Sequence, residues 1–263
     1  MIKLKNVSVI FSPDTPLETI ALNNMNLDIK KGEFVTVIGS NGAGKSTLLN
    51  IIAGVYKTNN GEVFIDKNNM KNSEVHTRTK LVSRVFQDPL AGTCEDLTIE
   101  ENLSLAYSRG ETRSLGVAIN KKNRDFFKSQ LKILELGLEN RLEDKVSLLS
   151  GGQRQALSLL MSTLKPMKIF LLDEHTAALD PKTGGFVLDL TQKIIQEKNL
   201  TTLMVTHSMR QALDYGTRII MLHKGRIIFD IKEEEKKGLD VHKLLDMFAN
   251  VDKDLVQDEL ILS

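Results

Sequence analysis

Tryptophan is absent from this 263-residue chain, cysteine occurs once, at Cys94, and proline only five times. A single cysteine excludes an internal disulfide, and with it the stapled frameworks of small secreted domains; it fits a reducing compartment. No run approaches the roughly 20 apolar residues needed to span a bilayer. The opening Met1-Ile2-Lys3-Leu4-Lys5 alternates polar and apolar and lacks the core of a signal peptide. The expectation is a cytoplasmic protein that meets the inner face of a membrane only through a partner. An excess of either charge is missing too: 35 Lys+Arg oppose 34 Asp+Glu, a formal net charge of +1. That balance supplies no general drive toward nucleic acid or anionic lipid, so no nucleic-acid partner is expected. What is present is ordinary globular material. Hydrophobic residues at 41% and charged residues at 26% exclude wholesale disorder. The length suits one large domain or two small ones, at about 100–200 residues each.

Hydrophobic periodicity predicts an α/β chain. Ile2–Phe11 and Leu22–Ile29 alternate around the turn-rich Ser12-Pro13-Asp14-Thr15-Pro16. Phe34–Ile38 is a short apolar run, as expected of a strand buried on both faces; Leu81–Phe86, Ile169–Leu172 and Leu203–Val205 read the same way. Between Phe86 and Ile169 the spacing turns helical, which places a helical insert at roughly residues 88–160. Arg218–Leu222 and Arg226–Ile231 flank Lys224-Gly225 as in a hairpin. Glu233–Lys237 reads as a solvated linker, and Val241, Leu244, Leu245 and Phe248 as the apolar face of a short helix packed back on the body. The expected organisation is a domain over 1–231 and a linker with a short helix over 232–263.

Three segments carry chemistry. Gly39-Ser40-Asn41-Gly42-Ala43-Gly44-Lys45-Ser46, followed by Thr47, matches the phosphate-binding loop pattern and stands between a predicted buried strand and a predicted helix. Its glycines let backbone N–H groups wrap a phosphate without Cβ obstruction, and the new helix points its N-terminus at the negative charge. Lys45 would reach the β- and γ-phosphates and the Ser46 hydroxyl would ligate Mg²⁺, which makes this a nucleoside triphosphate site. Ile169–Leu172 ends in Asp173-Glu174. Carboxylates at that end of a parallel strand stand where such sheets bind ligands. Asp173 would hold Mg²⁺ through its hydration shell and Glu174 would accept a proton from an attacking water. Third, Leu149-Ser150-Gly151-Gly152-Gln153 opens an apolar helical run. Ser150 suits an N-cap, and the two glycines leave backbone amides open to an anion; a merely capped helix is the plainer reading.

These segments, with Gln87 after an apolar strand, Ala178-Leu179-Asp180 and His207, stand in the order seen in ABC-family ATPases, which the chain resembles from about residue 2 to about residue 231. The resemblance implies a P-loop NTPase fold: a RecA-like α/β core with an antiparallel β-subdomain and an inserted helical subdomain. It implies ATP and Mg²⁺ as ligands and hydrolysis as the reaction. It also implies Gln87 as a Mg²⁺ contact and relay to a membrane partner, Asp180 in a loop that crosses between subunits, and His207 on the γ-phosphate. Phe11 takes the place of the aromatic that stacks on adenine; a strand core Phe fits the pattern equally. Most family members carry proline where this chain has His175, which reads here as structural. Cys94 reads as a small packed residue, and His76, His223 and His242 have no clustered partners that would make a metal site.

By the same resemblance, Ser150, Gly151, Gly152 and Gln153 serve the nucleotide of a second ATPase subunit, most simply an identical copy, and the transport path belongs to separate permease subunits. Val85-Phe86-Gln87-Asp88-Pro89 with Gly92-Thr93 looks like importers that depend on an extracytoplasmic substrate-binding protein, of the tryptophan/tyrosine uptake type. An exporter of lipids or antimicrobial peptides would share these motifs. A non-transport ABC protein is disfavoured, because neither tandem ATPase domains nor long coiled coils are visible. Leu90, on a glycine-hinged segment, is the candidate permease-docking residue. Arg109, Arg113, Lys121, Lys122 and Arg124 form a polar basic stretch, expected as a solvated loop or a permease or headgroup contact.

Overall fold

The chain alternates strand and helix from its first residues. A computed structural model describes residues 1–111 and 119–249. In order, the strands are β1 (Ile2–Phe11), β2 (Thr19–Ile29), β3 (Phe34–Gly39), β4 (Asn60–Ile65), β5 (Asn68–Asn69), β6 (Val82–Val85), β7 (Ile169–Asp173), β8 (Thr201–Val205), β9 (Arg218–His223) and β10 (Arg226–Ile231). The helices are α1 (Lys45–Ala53), α2 (Val75–Arg78), α3 (Ile99–Tyr107), α4 (Lys121–Leu131), α5 (Gly151–Thr163), α6 (Pro181–Lys198), α7 (Met209–Asp214), α8 (Glu233–Lys236) and α9, over 241–249. Two sheets result, one ordered β2-β1-β4-β5 and the other β10-β9-β3-β8-β7-β6. The contacts divide the chain into two units, and the division falls within β8: Met1–Ile51, Tyr56–Lys71 and the chain from Leu203 form the first, Ile52–Val55 and Asn72–Thr202 the second.

In the first unit, the alternation of β1 buries Ile2, Leu4, Val7 and Val9. Its antiparallel register with β2 sets Ile2 against Ile29, Leu4 against Leu27 and Val9 against Leu22, so apolar partners share one face. Val35, Val37 and Ile38 are fully or almost fully buried on β3, which pairs in parallel with β9. The expected hairpin forms: β9 and β10 are antiparallel, and Lys224 and Gly225 both take positive φ (44° and 75°), the backbone of a tight two-residue turn. Glu233–Lys237 is mostly solvated but is not a featureless linker. Its first four residues are α8, and Lys236 Nζ donates to the carbonyls of Tyr215 (2.8 Å) and Gly216 (2.7 Å). Leu244 of α9 is fully buried with Ile38, Ala212, Ile219, Met221 and Ile231, while Leu245 is exposed. Residues 250–263 of the expected C-terminal segment lie outside the described residues.

In the second unit, β6 and β7 run parallel with Val82 opposite Ile169 and Val85 opposite Leu172. Among the described residues between them stand α3, α4, α5 and single 3₁₀ turns. Two of these helices start on reciprocal caps: Thr98 with Glu101 at α3, Ser150 with Gln153 at α5, each worth about 1 kcal/mol. Phe127, Leu131, Leu134, Leu138 and Leu157 are fully buried. Two cations of the basic stretch are held by specific partners. Arg109 donates to Ser83 Oγ (2.5 Å), the Ser162 carbonyl (3.2 Å) and the Lys165 carbonyl (3.3 Å); Arg124 pairs with Glu100 (2.6 Å) and Glu143 (3.1 Å). Arg113 lies outside the described residues. Among the described residues no helix is long and apolar enough to cross a membrane.

Candidate functional site

The first unit holds the phosphate-binding loop between β3 and α1. Gly39 (φ +153°) has the Leu222 carbonyl oxygen 2.3 Å from where a Cβ would stand, and Gly44 (φ +99°) has that of Ala21 at 2.4 Å. Any side chain at either position would drive the loop out of its backbone path. The loop is braced from outside, because Gly225 N–H donates to the Ala43 carbonyl (3.1 Å) and Gly225 itself accepts from Asn23 N–H (2.9 Å). Lys45 is buried at its root, with Nζ donating to the carbonyls of Gly39 (2.9 Å) and Ser40 (3.0 Å) across the hollow of the loop. Asn41, Gly42 and Ser46 are exposed, and Thr47 is half-buried. Glycines where a Cβ cannot go, a centred ammonium and a hydroxyl on the first turn of a helix fit a polyphosphate with a divalent cation.

His207 belongs to the same unit. Thr206 N–H donates to the Val37 carbonyl (3.1 Å), so the chain leaves β8 beside β3, at the edge from which the loop springs. Thr206 Oγ1 bonds Gln211 Oε1 (2.6 Å) and Ser208 caps α7, holding the residues on either side of the exposed His207. Phe11 is 37% exposed and packs in a T-shaped arrangement with Tyr56, ring centroids 5.2 Å apart at 77°. It is therefore a partly exposed surface aromatic, not a core strand residue.

The second unit holds the strand-end acids. Asp173 closes β7, and Glu174 follows with φ +48°, a left-handed conformation costing a non-glycine residue about 1–3 kcal/mol. The sharp turn is held by Ala177 N–H to the Glu174 carbonyl (2.9 Å) and by the burial of His175 and Thr176 beneath it. His175 is 2% exposed and its Nε2 lies 3.0 Å from Thr191 Oγ1 of α6. Burial pulls its pKa down to about 4, so it is neutral at physiological pH and anchors the acid turn from inside. Because β6 pairs with β7 in parallel, Gln87 leaves at the same edge as Glu174; it is exposed.

Gly151 and Gly152 start α5, and Gly152 has a second reason to be glycine: a Cβ there would stand 2.1 Å from Thr183 Cγ2 of α6. Close helix packing demands the residue irrespective of any anion. Asp180 caps α6, accepting from Thr183 N–H (3.1 Å), and that bonding holds its carboxyl below the usual range. Leu90 is 42% exposed on a 3₁₀ turn capped by Asp88, whose Oδ1 accepts from Leu90 N–H (2.9 Å). A Cβ on Gly92 would lie 2.5 Å from Ser158 Oγ, so Gly92 serves close approach to α5. Cys94 is exposed rather than packed, since its backbone, not its thiol, is what the fold uses: Asn102 bonds its N–H (2.8 Å) and its carbonyl (2.9 Å).

Two residues of this unit escaped sequence reasoning. Arg84 forms an ion pair with Asp173, and Gln155 of α5 donates from Nε2 to the Phe86 carbonyl (3.2 Å). Each had a signal: a cation inside an apolar strand run, and an amide on the apolar face of a helix.

Comparison with known proteins agrees with this chemistry. A family model described as ABC transporter matches residues 22–177. The chain is 49% identical over 248 residues to a tyrosine transport ATP-binding protein of Clostridioides difficile, covering 94% of this chain and 98% of that protein. It is 34% identical to an energy-coupling factor transporter ATP-binding protein of Clostridium tetani, over 87% of this chain and 78% of the other. Among solved structures, a dimeric post-hydrolysis state of the ATP-binding cassette MJ0796 bound to ADP and Pi superposes with a TM-score of 0.76 at 34% identity, covering 89% of this chain and 99% of that one.

Proposed function

The chain belongs to the ABC transporter family as an ATP-binding, ATP-hydrolysing subunit, and from that premise we propose that it powers import of an aromatic amino acid of the tyrosine type through separate permease subunits. What carries the reading is the match to the tyrosine transport protein, which runs nearly the full length of both chains.

In the mechanism we propose, each role follows from the residue's setting. The amides of Gly39–Gly44 and the Lys45 ammonium bind the β- and γ-phosphates, with Ser40, Asn41 and Ala43 supplying loop backbone. Lys45 would exchange its two carbonyl partners for phosphate oxygens, which are better acceptors because they are charged. Ser46 and Asp173 are the residues that would hold Mg²⁺, with Gln87 as a further ligand; Thr47 follows Ser46 in the α1 N-terminus. When bound, the cation neutralises charge developing on the transferred phosphoryl group. Glu174, turned out of the strand by its left-handed backbone, accepts the proton of the attacking water, and His207 donates to the γ-phosphate. Phe11, partly exposed, stacks on adenine. Ser150, Gly151, Gly152 and Gln153 serve the nucleotide of a second copy of the chain, arranged head to tail, with Asp180 near the crossing. Leu90 seats the permease, which places the subunit at the inner membrane face, and a substrate-binding protein delivers the solute from outside.

The test is reconstitution with a permease and binding protein encoded beside this chain, in vesicles supplied with ATP on the subunit's side. Labelled tyrosine should accumulate in an ATP-dependent manner, with unlabelled tyrosine and tryptophan competing. Leu90→Asp should lose the permease on co-purification yet still bind ATP, since it places a charge where an apolar surface should seat. ATP-dependent extrusion, or uptake indifferent to aromatic amino acids, would overturn the import reading.

A further inference from the structure

We propose that Arg84 is a positioning residue for the hydrolytic reaction: it fixes the orientation of Asp173, stands beside it as a positive charge, and ties that carboxylate to the root of the Gln87 segment. The inference rests on the reading of Asp173 as the carboxylate that holds Mg²⁺.

Strand register makes the pair. Arg84 of β6 is the partner of Leu171 on β7, and side chains two residues apart on a strand share a face, so Arg84 and Asp173 emerge together. Arg84 Nη2 donates to Asp173 Oδ2, with both side chains largely buried, at 14% and 13% exposure. An arginine in a buried strand is unusual unless a carboxylate needs it. The planar guanidinium fixes the rotation of a carboxylate as a point charge cannot.

The same guanidinium lies over the Phe86 ring, 4.8 Å from its centroid. The Phe86 carbonyl is gripped by Gln155 Nε2, and Gln155 is fully buried with Oε1 lacking any partner among the described residues. Burying an amide for a single hydrogen bond is unfavourable, which marks that bond as the reason the residue is polar. Phe86 is thus held by its ring and by its backbone, and Gln87, the next residue, starts from a fixed point.

Charge and geometry make separable demands on position 84. A positive charge beside Asp173 weakens the pull of the carboxylate on a cation, whereas the directed Nη2 hydrogen bond keeps the carboxylate aimed. Arg84→Met removes both, and Arg84→Lys restores only the first. The probe is Mn²⁺ binding in the presence of a non-hydrolysable ATP analogue, followed by paramagnetic resonance, alongside steady-state hydrolysis and thermal melting of the full chain. In Arg84→Met, Mn²⁺ should bind about 3–10-fold more tightly while kcat falls about 10–100-fold at an ATP KM within about twofold of the parent. In Arg84→Lys, Mn²⁺ affinity should stay within about twofold of the parent, with kcat only partly recovered. Arg84→Lys should melt within a few degrees of the parent, and Arg84→Met, which leaves a largely buried carboxylate unpaired, should melt lower. Unchanged Mn²⁺ affinity in Arg84→Met would overturn the proposal, as would parallel losses of metal affinity, kcat and melting temperature in both variants, the mark of a purely structural ion pair. Asp173→Asn should weaken Mn²⁺ binding; an unchanged affinity there would fail the reading of Asp173 itself and remove the role of Arg84 with it.

Discussion

The phosphate-binding loop and the strand-end acids reach their geometry by opposite routes. In the first unit, one contiguous stretch from Gly39 to Thr47 supplies backbone, ammonium and hydroxyl, and the neighbouring chain only walls it in at Leu222, Ala21 and Gly225. In the second, Asp173 is the last residue of a strand and Glu174 the first residue after it. Everything that makes them distinctive comes from elsewhere: Arg84 from β6, Thr191 from α6 beneath His175, and the register that sets Gln87 at the same edge. A loop that encloses a phosphate with its own amides can be written locally. A carboxylate whose position matters must be held by residues far away in sequence.

That contrast can be broken, and the largest effect should come from the second region. Glu174→Gln keeps the shape of the side chain but cannot take a proton, so hydrolysis should fall about 10²–10⁴-fold while ATP still binds. Single-turnover hydrolysis beside equilibrium nucleotide binding checks this; near-normal turnover would remove Glu174 from the chemistry. Next comes the buried support of the acid turn. His175 has a folded pKa of about 4 against about 6.5 in an unfolded chain. The unfolded state therefore takes up a proton first as pH falls. Its contribution to stability is complete above about pH 6.5 and is lost down to about pH 4, a change of order 3 kcal/mol. Chemical denaturation at pH 7.5, 6 and 5 should show the parent weakening and His175→Gln following a shallower slope; parallel slopes would contradict a neutral buried imidazole. The smallest of the three effects should come from the self-sufficient loop. Lys45→Ala deletes one charged donor while the backbone cradle survives, so ATP affinity should drop about 10–100-fold. Titration with a fluorescent nucleotide would test it, and an unchanged affinity would put the triphosphate elsewhere.

Legibility followed the same division. The strands showed clearly where burial makes a run or an alternation: Ile2–Phe11 is β1 residue for residue, and Phe34, Ile169 and Arg226 begin strands as their patterns predict. β4 and β5 were not foreseen, because Asn60–Ile65 opens with Asn-Gly-Glu and only Val63 and Ile65 of it are buried. The charged stretches misled in one consistent way. Glu233–Lys237 and the residues around Arg109 and Arg124 are polar in composition, but Lys236 caps carbonyls of its own unit and both arginines are engaged. Composition reports that a side chain is charged and says nothing of which partner it finds. Cys94 is exposed instead of packed for a related reason, since a small residue can be packed, exposed or pressed against a neighbour, and only the neighbour decides.

By itself the sequence determined the fold class, the phosphate loop and the N-cap of α5, because each depends on periodicity or on residues at most a few positions apart. Only the tertiary structure decided that Asp173 is shared with Arg84, that Gln155 holds the Phe86 carbonyl, that Gly152 must clear Thr183, and that His175 is a buried neutral anchor. These are pairings across 16 to 89 residues of chain. Strand register and helix packing set them, because burial is shared among distant segments and cannot be read from any one of them.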